Sequence, residues 1–436
     1  MQELMDLINK ASEKIKSADS TIQLVSHLDA DGICAASITA SMLMELGKRF
    51  QITVIKGIKQ DIVGIINQRE PKLTIFTDIG SGYLDIIKEI KNDIIVIDHH
   101  EVEGTPSEKM IHINPVSYDL DFSGSGTAYL LAKEILQHNS LAPLAIVGTV
   151  GDTNYSTSSK VFENPMVEVE TGLNLFGRFS RPLYRSLEFS GIHGINDSSK
   201  AIQFLSEIGI NPQANGKWKT LSDLNADEKR RLTDAIVKES LRNESFNKNM
   251  IFGDVLTLKQ FPEELQDAKE FATMLNATAN MNEPAVGIAL CLGSKKALEY
   301  ARGIVKGYKR LIGNYMRWIE ENPGSMRQKS CANYIIAGSA INENLIGTIV
   351  SMLFKPSEKT IIGMANGDNE IKISARSKGI DIREIVIEAC SICGGRGGGH
   401  KQAAGGTIPS GSEEKFIEAC ECILGRPKEE AAVIKV

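Results

Sequence analysis

The chain has 436 residues, 42% hydrophobic and 24% charged, with a net charge of −6. That length exceeds the ~250 to 300 residues at which one core stops growing, so two or three domains are expected. The acidic balance argues against a protein that coats nucleic acid by bulk positive charge, and no apolar run approaches the ~20 residues of a membrane span.

The opening stretch "MQELMDLINKASEKIKSAD" alternates charged and apolar residues at helical spacing. It lacks the cationic start and apolar stretch of a secretory signal, and a cytoplasmic location is expected. From Thr21 to about Val150, β-rich runs alternate with helical patterns. "TIQLVSH", "QITVIKG", "KLTIFTDIG" and "DIIVIDHH" are the predicted strands, with helices over Ala35 to Gly47 and Gly126 to His138. Such alternation means βαβ units and a parallel sheet, and near-continuous Ile, Val and Leu predicts strands buried on both faces.

Beyond about Asp197 the pattern turns mainly helical and more charged. Leu298, Ala301, Val305, Tyr308, Ile312, Tyr315 and Ile319 then fall at alternating steps of three and four, predicting a long helix with one apolar stripe. "NPGS" ends it. "CANYIIAGS", "IIGMANG" and "IKISARS" read as strands of a smaller α/β domain that closes on the glycine-dense "CGGRGGGHKQAAGG", Cys393 to Gly406. The expected division is a catalytic domain over 1–190, a mainly helical insertion returning to it over 191–296, a connector helix over 297–322, a C-terminal domain over 323–425 and a frayed tail over 426–436. Of seven scattered cysteines only Cys390 and Cys393 have CxxC spacing, so reduced thiols are favoured over structural zinc.

Four polar clusters share one grammar, each following an apolar run. They are "SHLDADG" (His27, Asp29, Asp31), "FTDIGSG" (Asp78), "IDHHE" (Asp98, His99, His100) and "TVGDTN" (Asp152). Any one of them reads as a cap or turn. In an open parallel sheet, however, residues at the carboxyl ends of strands converge on one crevice. Together the clusters would gather at least four carboxylates and two imidazoles, whose repulsion cations would relieve. Mixed carboxylate and imidazole donors suit Mn²⁺ or a related ion, and their number suggests two. Two-metal sites hydrolyse phosphoesters and phosphoanhydrides.

"HLDADG", "TDIG", "DHH" and "GD", in this order, resemble the four motifs of the DHH phosphoesterase superfamily, and "GGRGGGHKQAAGG" resembles the signature of its DHHA1 domain. The resemblance implies two divalent ions, Mn²⁺ foremost with Mg²⁺ or Co²⁺ as substitutes. His27, Asp29 and Asp78 would hold one; Asp31, Asp78, His99 and Asp152 would hold the other. His100 is expected beside the scissile phosphate, with Asp98 orienting the site. Arg376, Arg396, Gly397, Gly398, Gly399 and His400 are expected to bind substrate, and Ser125 and Thr127 of "SGSGTA" either cradle phosphate at a helix start or simply cap the helix.

Chain length and the helical block between the domains make the chain similar to RecJ-like single-strand exonucleases acting on DNA, RNA or both in replication or repair. Where bacterial RecJ commonly has Asn-Ala-x-Gly-Arg, residues 276–280 read Asn-Ala-Thr-Ala-Asn, so the arginine is missing. Lys295, Lys296, Arg302, Lys306, Lys309, Arg310 and Arg317 on the long helix, with Tyr300 and Trp318, read either as a basic track in its place or as a solvated helix face with core-facing aromatics. The alternatives are an oligoribonuclease or cyclic dinucleotide phosphodiesterase, and a replication scaffold bound to GINS and the replicative helicase.

Overall fold

Helix α1, Gln2–Ser17, presents Leu4, Ile8, Ala11 and Ile15 as one buried stripe. After it a computed structural model shows β1 (Ile22–His27), α2 (Ala30–Glu45), β2 (Phe50–Ile55), α3 (Gln60–Arg69), β3 (Leu73–Thr77), α4 (Leu84–Ile87), β4 (Asp93–Ile97), β5 (Met110–Ile113), α5 (Gly124–Leu136) and α6 (Ala142–Gly151). The described residues are 2–152, 167–192, 194–241, 251–354 and 359–426, so the expected tail lies outside them except for Arg426.

The five strands form one parallel sheet in the order β2-β1-β3-β4-β5. Successive side chains of a strand point to opposite faces. Leu24, Ile75 and Ile95 therefore enter the core built with α1, α2, α5 and α6, while Val25, Phe76 and Val96 enter a second core with residues of α3 and α4. Both faces of β1, β3 and β4 are covered, as their continuous aliphatic runs predict, whereas the edge strand β2 is only half-buried. The chain moves from β1 to β2 on one side and to β3 on the other, so a topological switch point lies between β1 and β3, where such sheets bind ligands.

The structure divides into two compact units, Met1–Arg302 and Gly303–Val436. Within the first, helices Leu183–Glu188, Ser198–Glu207 and Ala226–Leu241 surround a small core of Leu187, Leu205, Leu232 and Ile236. The middle of the chain is less purely helical than its composition suggests, because Val167–Leu173 pairs antiparallel with Phe252–Leu258. Helices Ala268–Asn280 and Pro284–Cys291 return Phe271, Leu275 and Ile288 to the main core.

The long helix spans Lys295–Glu321 and buries Leu298, Ala301, Tyr308 and Ile319, as the three-four spacing requires. Lys295, Arg302, Lys306, Lys309, Arg310 and Arg317 are exposed, and Arg302 is engaged by Glu264. No described helix is long and apolar enough to cross a membrane.

The second unit holds a six-stranded mixed sheet, in the order Met326–Gln328, Ala332–Gly338, Thr360–Asn366, Glu370–Arg376, Ala403–Pro409, Arg396–His400. The glycine-dense segment is thus a hairpin of the edge strand Arg396–His400 and its inner neighbour Ala403–Pro409. Its glycines have packing reasons: a Cβ on Gly397 would meet the backbone of Val386 and Ile387 at 2.9–3.0 Å, and one on Gly406 would meet Cys390 Sγ at 2.7 Å. The CxxC thiols are buried in this unit's core, and burial pushes Cys390 up to about 12, consistent with inert, reduced cysteines.

Candidate metal centre

The carboxyl ends of three adjacent strands supply the centre. His27 closes β1, Asp78 follows β3, and Asp98, His99 and His100 follow β4, with Ser26 opposite Thr77 and Thr77 opposite Ile97 setting them level. Asp29 and Asp31 arrive on the start of α2 and Asp152 at the end of α6.

His27 Nδ1 lies 2.8 Å from Asp29 Oδ2 and 3.5 Å from Asp78 Oδ2. His99 Nε2 lies 3.3 Å from Asp78 Oδ1, 3.7 Å from Asp152 Oδ2 and 3.8 Å from Asp31 Oδ2. Donor atoms of His27, Asp29 and Asp78 fall within 4.8 Å of one another, as do those of Asp31, His99 and Asp152, and those of Asp78, His99 and His100. Asp78 joins the first group to the third, and His99 joins the third to the second.

Asp78 sits in the left-handed region, φ 57°, which aspartate tolerates better than most residues and which re-aims its carboxylate over the strand ends. Its side chain is 1% exposed, yet neither oxygen accepts a well-formed hydrogen bond. A sealed carboxylate without donors is costly unless a cation satisfies it. Burial pushes Asp78 up, but the His27 and His99 imidazoles outweigh it and hold the group well below the usual carboxylate range. Burial would lower His99, while Asp78, Asp152 and Asp31 raise it to about 10; Asp152 is pushed up to about 6 by burial, with Asp78 adding to the rise. Protonated imidazole is thus the cluster's own positive charge, and the donor set fits oxygen- and nitrogen-binding divalent ions.

The bland reading of Asp29 also holds, because its Oδ1 caps α2 by accepting the Gly32 amide at 2.8 Å while Oδ2 faces His27. Asp98 is fully buried and does not face the ion cluster directly. Its Oδ1 accepts the His99 amide and His100 Nδ1, both at 2.8 Å, and its Oδ2 accepts the Ser81 amide at 2.7 Å. Burial pushes Asp98 up, but His100 outweighs it and holds the carboxylate ionised.

One expectation fails on geometry. Ser125 and Thr127 do not present phosphate donors: both are buried, the Ser125 hydroxyl donates to Asp31 and the Thr127 hydroxyl to the Ser123 carbonyl. The start of α5 is occupied from inside, its Gly124 and Ser125 amides donating to Asp31 at 2.7 and 3.1 Å. The helix dipole therefore anchors a carboxylate of the chain itself.

In the second unit Arg376 and His400 both pair with Ala403, so the three share one row and one face, with Arg376 and His400 two strand spacings, ~10 Å, apart. Arg396 lies on the same face four residues along. A Cβ on Gly398 would meet open space, whereas Gly399 is held at φ 125° against Ala403. Gly398 is thus the member of the triplet with room for a neighbour on its Cβ side, while the backbone contacts at Gly397 and the positive φ at Gly399 serve packing and turn geometry.

Sequence reasoning missed several participants. Asn276 Oδ1 accepts the Ala30 amide at 3.0 Å, pinning the turn between Asp29 and Asp31. Asn114 donates to the His100 carbonyl at 2.8 Å and to Ser81 at 2.9 Å. Gly124 and Gly148 leave no room for a side chain: a Cβ would lie 2.4 Å from Asp78 Oδ1 and 2.5 Å from Asp31 Oδ1, respectively. The available signal was two helix-associated glycines beside polar motifs, in "SGSG" and "VGTVGD".

Comparison with known proteins agrees with this architecture. Family models match in chain order: the DHH family N-terminal domain over residues 21–149, the DHH-CID domain over 175–251 and the DHHA1 domain over 328–425. An uncharacterized protein of Methanocaldococcus jannaschii is 26% identical, covering 98% of this chain and 98% of its own. The crystal structure of exonuclease RecJ bound to manganese aligns with a TM-score of 0.59 at 17% identity, over 98% of this chain and 97% of that one. Cdc45 from Entamoeba histolytica aligns with a TM-score of 0.63 at 12% identity, over 98% and 99%. Identities this low establish a shared fold and no more, while the three family models, matching in chain order from residue 21 to residue 425, place this chain in the DHH superfamily.

Proposed function

We propose that the protein is a Mn²⁺-dependent two-metal phosphodiesterase, a RecJ-like exonuclease hydrolysing single-stranded DNA or RNA in replication or repair. The observation that carries this reading is the meeting of the donor groups at Asp78, buried with no hydrogen bond to either oxygen. The DHH-CID match and the manganese-bound RecJ neighbour favour the exonuclease branch over the short-substrate one.

His27, Asp29 and Asp78 would hold one ion, and Asp31, Asp78, His99 and Asp152 the other. Held there, two divalent ions would supply Lewis acidity toward the phosphoryl oxygen and toward a water near neutral pH. Asp98 fixes the His100 ring through Nδ1, and Nε2 is the ring atom that would meet the phosphodiester. Burial would lower His100, but Asp98 outweighs it and raises the imidazole, so His100 keeps the proton it donates to the leaving oxygen. Arg376, Arg396 and His400 on one sheet face suit anion binding, with Gly398 leaving space for close approach.

Products from 5′- and 3′-labelled strands of DNA and RNA, with a labelled dinucleotide alongside, test the assignment. Progressive shortening of the long strand is expected. Cleavage of the dinucleotide alone would move the protein to the oligoribonuclease and cyclic dinucleotide branch. The Cdc45 likeness favours one second reading, a replication scaffold with GINS; binding to GINS without any hydrolysis would establish it.

Two outcomes follow from the electrostatics. An ion must displace the proton that Asp78, Asp152 and Asp31 hold on His99, so Mn²⁺ affinity should rise with pH toward about 10. Each proton released makes the apparent Kd fall about tenfold per pH unit, measurable by calorimetry in buffers of different ionisation enthalpy; a pH-independent Kd would remove His99 from the ligand set. Asp98→Asn should cut kcat by roughly 10- to 100-fold. Without the carboxylate the His100 pKa falls, so the alkaline limb of the kcat profile should move to lower pH; an unmoved limb would deny His100 the acid role.

A further inference from the structure

Residues 176–189 carry chemistry that the hydrolytic site does not use. The Arg181 guanidinium lies over two rings at once, 5.0 Å from the centroid of Phe176 and 5.7 Å from that of Phe189. Phe189 is 69% exposed and Phe176 36%. A lone exposed phenylalanine is ordinary on a protein surface. Two of them holding a cation between their rings are a built arrangement.

Charges around this stack are already engaged. Arg178 pairs with Asp267 at 3.1 Å, Arg185 with Glu188 at 2.9 Å, and Glu270 takes the Ser180 hydroxyl and the Phe179 amide. Arg181 makes no ion pair among the described residues. The surface therefore offers exposed aromatic rings beside a cation that Glu270 and Glu188 favour at longer range without pairing with it directly, which complements an anion that brings flat rings with it.

The stack is also tied to the metal centre. Arg178, Phe179 and Ser180 are bound to Asp267 and Glu270 at the start of the helix Ala268–Asn280. Farther along, Ala272 Cβ lies 3.5 Å from where a Cβ on Gly151 would sit, next to Asp152, and Asn276 holds the Ala30 amide. Glu270 and Asn276 are six residues apart, about 9 Å along the axis. One helix thus positions the aromatic stack and braces the hydrolytic centre.

We propose that Phe176, Arg181 and Phe189 form a stacking platform for single-stranded nucleic acid, engaging bases beyond the nucleotide being cleaved while Arg181 meets a phosphate. The proposal rests on the nucleolytic reading and says where the rest of the strand goes. A platform away from the centre helps long strands and leaves dinucleotides indifferent.

The test uses the full-length protein, as wild type and as the variants Phe189→Ala, Phe176→Ala with Phe189→Ala, and Arg181→Gln. Anisotropy of a labelled oligothymidylate and a labelled oligouridylate of about twenty nucleotides, without divalent metal, reads binding apart from hydrolysis. Mn²⁺-dependent cleavage of a dinucleotide reads the centre, and thermal unfolding checks that each variant folds. Strand Kd should rise roughly tenfold for each ring removed and again for Arg181→Gln, with dinucleotide cleavage within about twofold of wild type. Unchanged strand binding in folded variants would overturn the platform, as would a parallel loss of dinucleotide cleavage, which would mean the stack only braces the centre. Strand binding that depends on the platform in a protein that cleaves nothing would keep the platform and sink the nuclease. A wild type that binds no strand would sink both, and with GINS bound through these residues would make the surface a protein dock.

Discussion

Asp78→Asn is expected to lower hydrolysis by roughly a thousandfold or more and to erase the rise in Tm that Mn²⁺ gives the wild type. Asp78 Oδ1 and Oδ2 face His99 and His27 respectively, so one carboxylate serves both sides of the centre. Asparagine is nearly isosteric and accepts the left-handed backbone at φ 57°, so the strand end and its neighbours stay in place. It removes the charge and puts a donor where a cation belongs. Circular dichroism should match wild type, while thermal unfolding with and without Mn²⁺ gives the same Tm. A variant still stabilised by Mn²⁺ and still active would show that Asp78 is not shared, and one that fails to fold would make its role structural. Asp98→Asn is the contrast: its carboxylate holds the His99 amide and the His100 ring and is not itself a proposed ligand, so it should retain the thermal response to metal.

Much of this centre was readable because the sheet converts sequence grammar into position. His27, Asp78 and the Asp98–His100 triplet each follow an aliphatic run, and parallel strands in register bring run ends level. The shape of the clusters, with Asp78 shared, depends on a positive φ that no composition announces. β5 was missed because "MIHI" is too short to stand out, and it earns its place by pairing with β4. The pair formed by Val167–Leu173 and Phe252–Leu258 was missed because its partners are separated by a helical block. Ser125 and Thr127 could be read as an anion cradle or a plain helix cap, because a glycine-rich helix start suits either. What occupies it is Asp31, ninety-odd residues earlier, and only tertiary structure could reveal that. The glycine-dense segment misled in the other direction: its permissiveness lets an edge strand lie on the backbone of Val386 and Ile387 as well as leaving Gly398 open. On the long helix the charge pattern was legible but not its engagement, since Glu264 already holds Arg302.

Gly148→Ala should damage activity through a route visible only in three dimensions. Gly148 lies inside α6, where alanine would ordinarily gain about 0.8–1 kcal/mol in helix propensity. Here the new Cβ would sit 2.2 Å from Ser125 Oγ and 2.5 Å from Asp31 Oδ1, distances no packed atom tolerates. Ser125 bonds both Asp31 and the Ala145 carbonyl, so it cannot yield without releasing the carboxylate it holds. Overpacking of this kind costs about 1–3 kcal/mol, which exceeds the propensity gain, so the net effect is destabilising. A shift of Asp31 by a fraction of an ångström to about 1 Å should cost roughly a hundredfold in rate. Gly64→Ala is the matched control, because Gly64 lies in the exposed interior of α3 and its Cβ would meet nothing within 4 Å. That variant should hold or raise Tm at full activity. If Gly148→Ala behaved like Gly64→Ala, the close packing of α6 on the Asp31–Ser125 pair would not be what holds Asp31 in place.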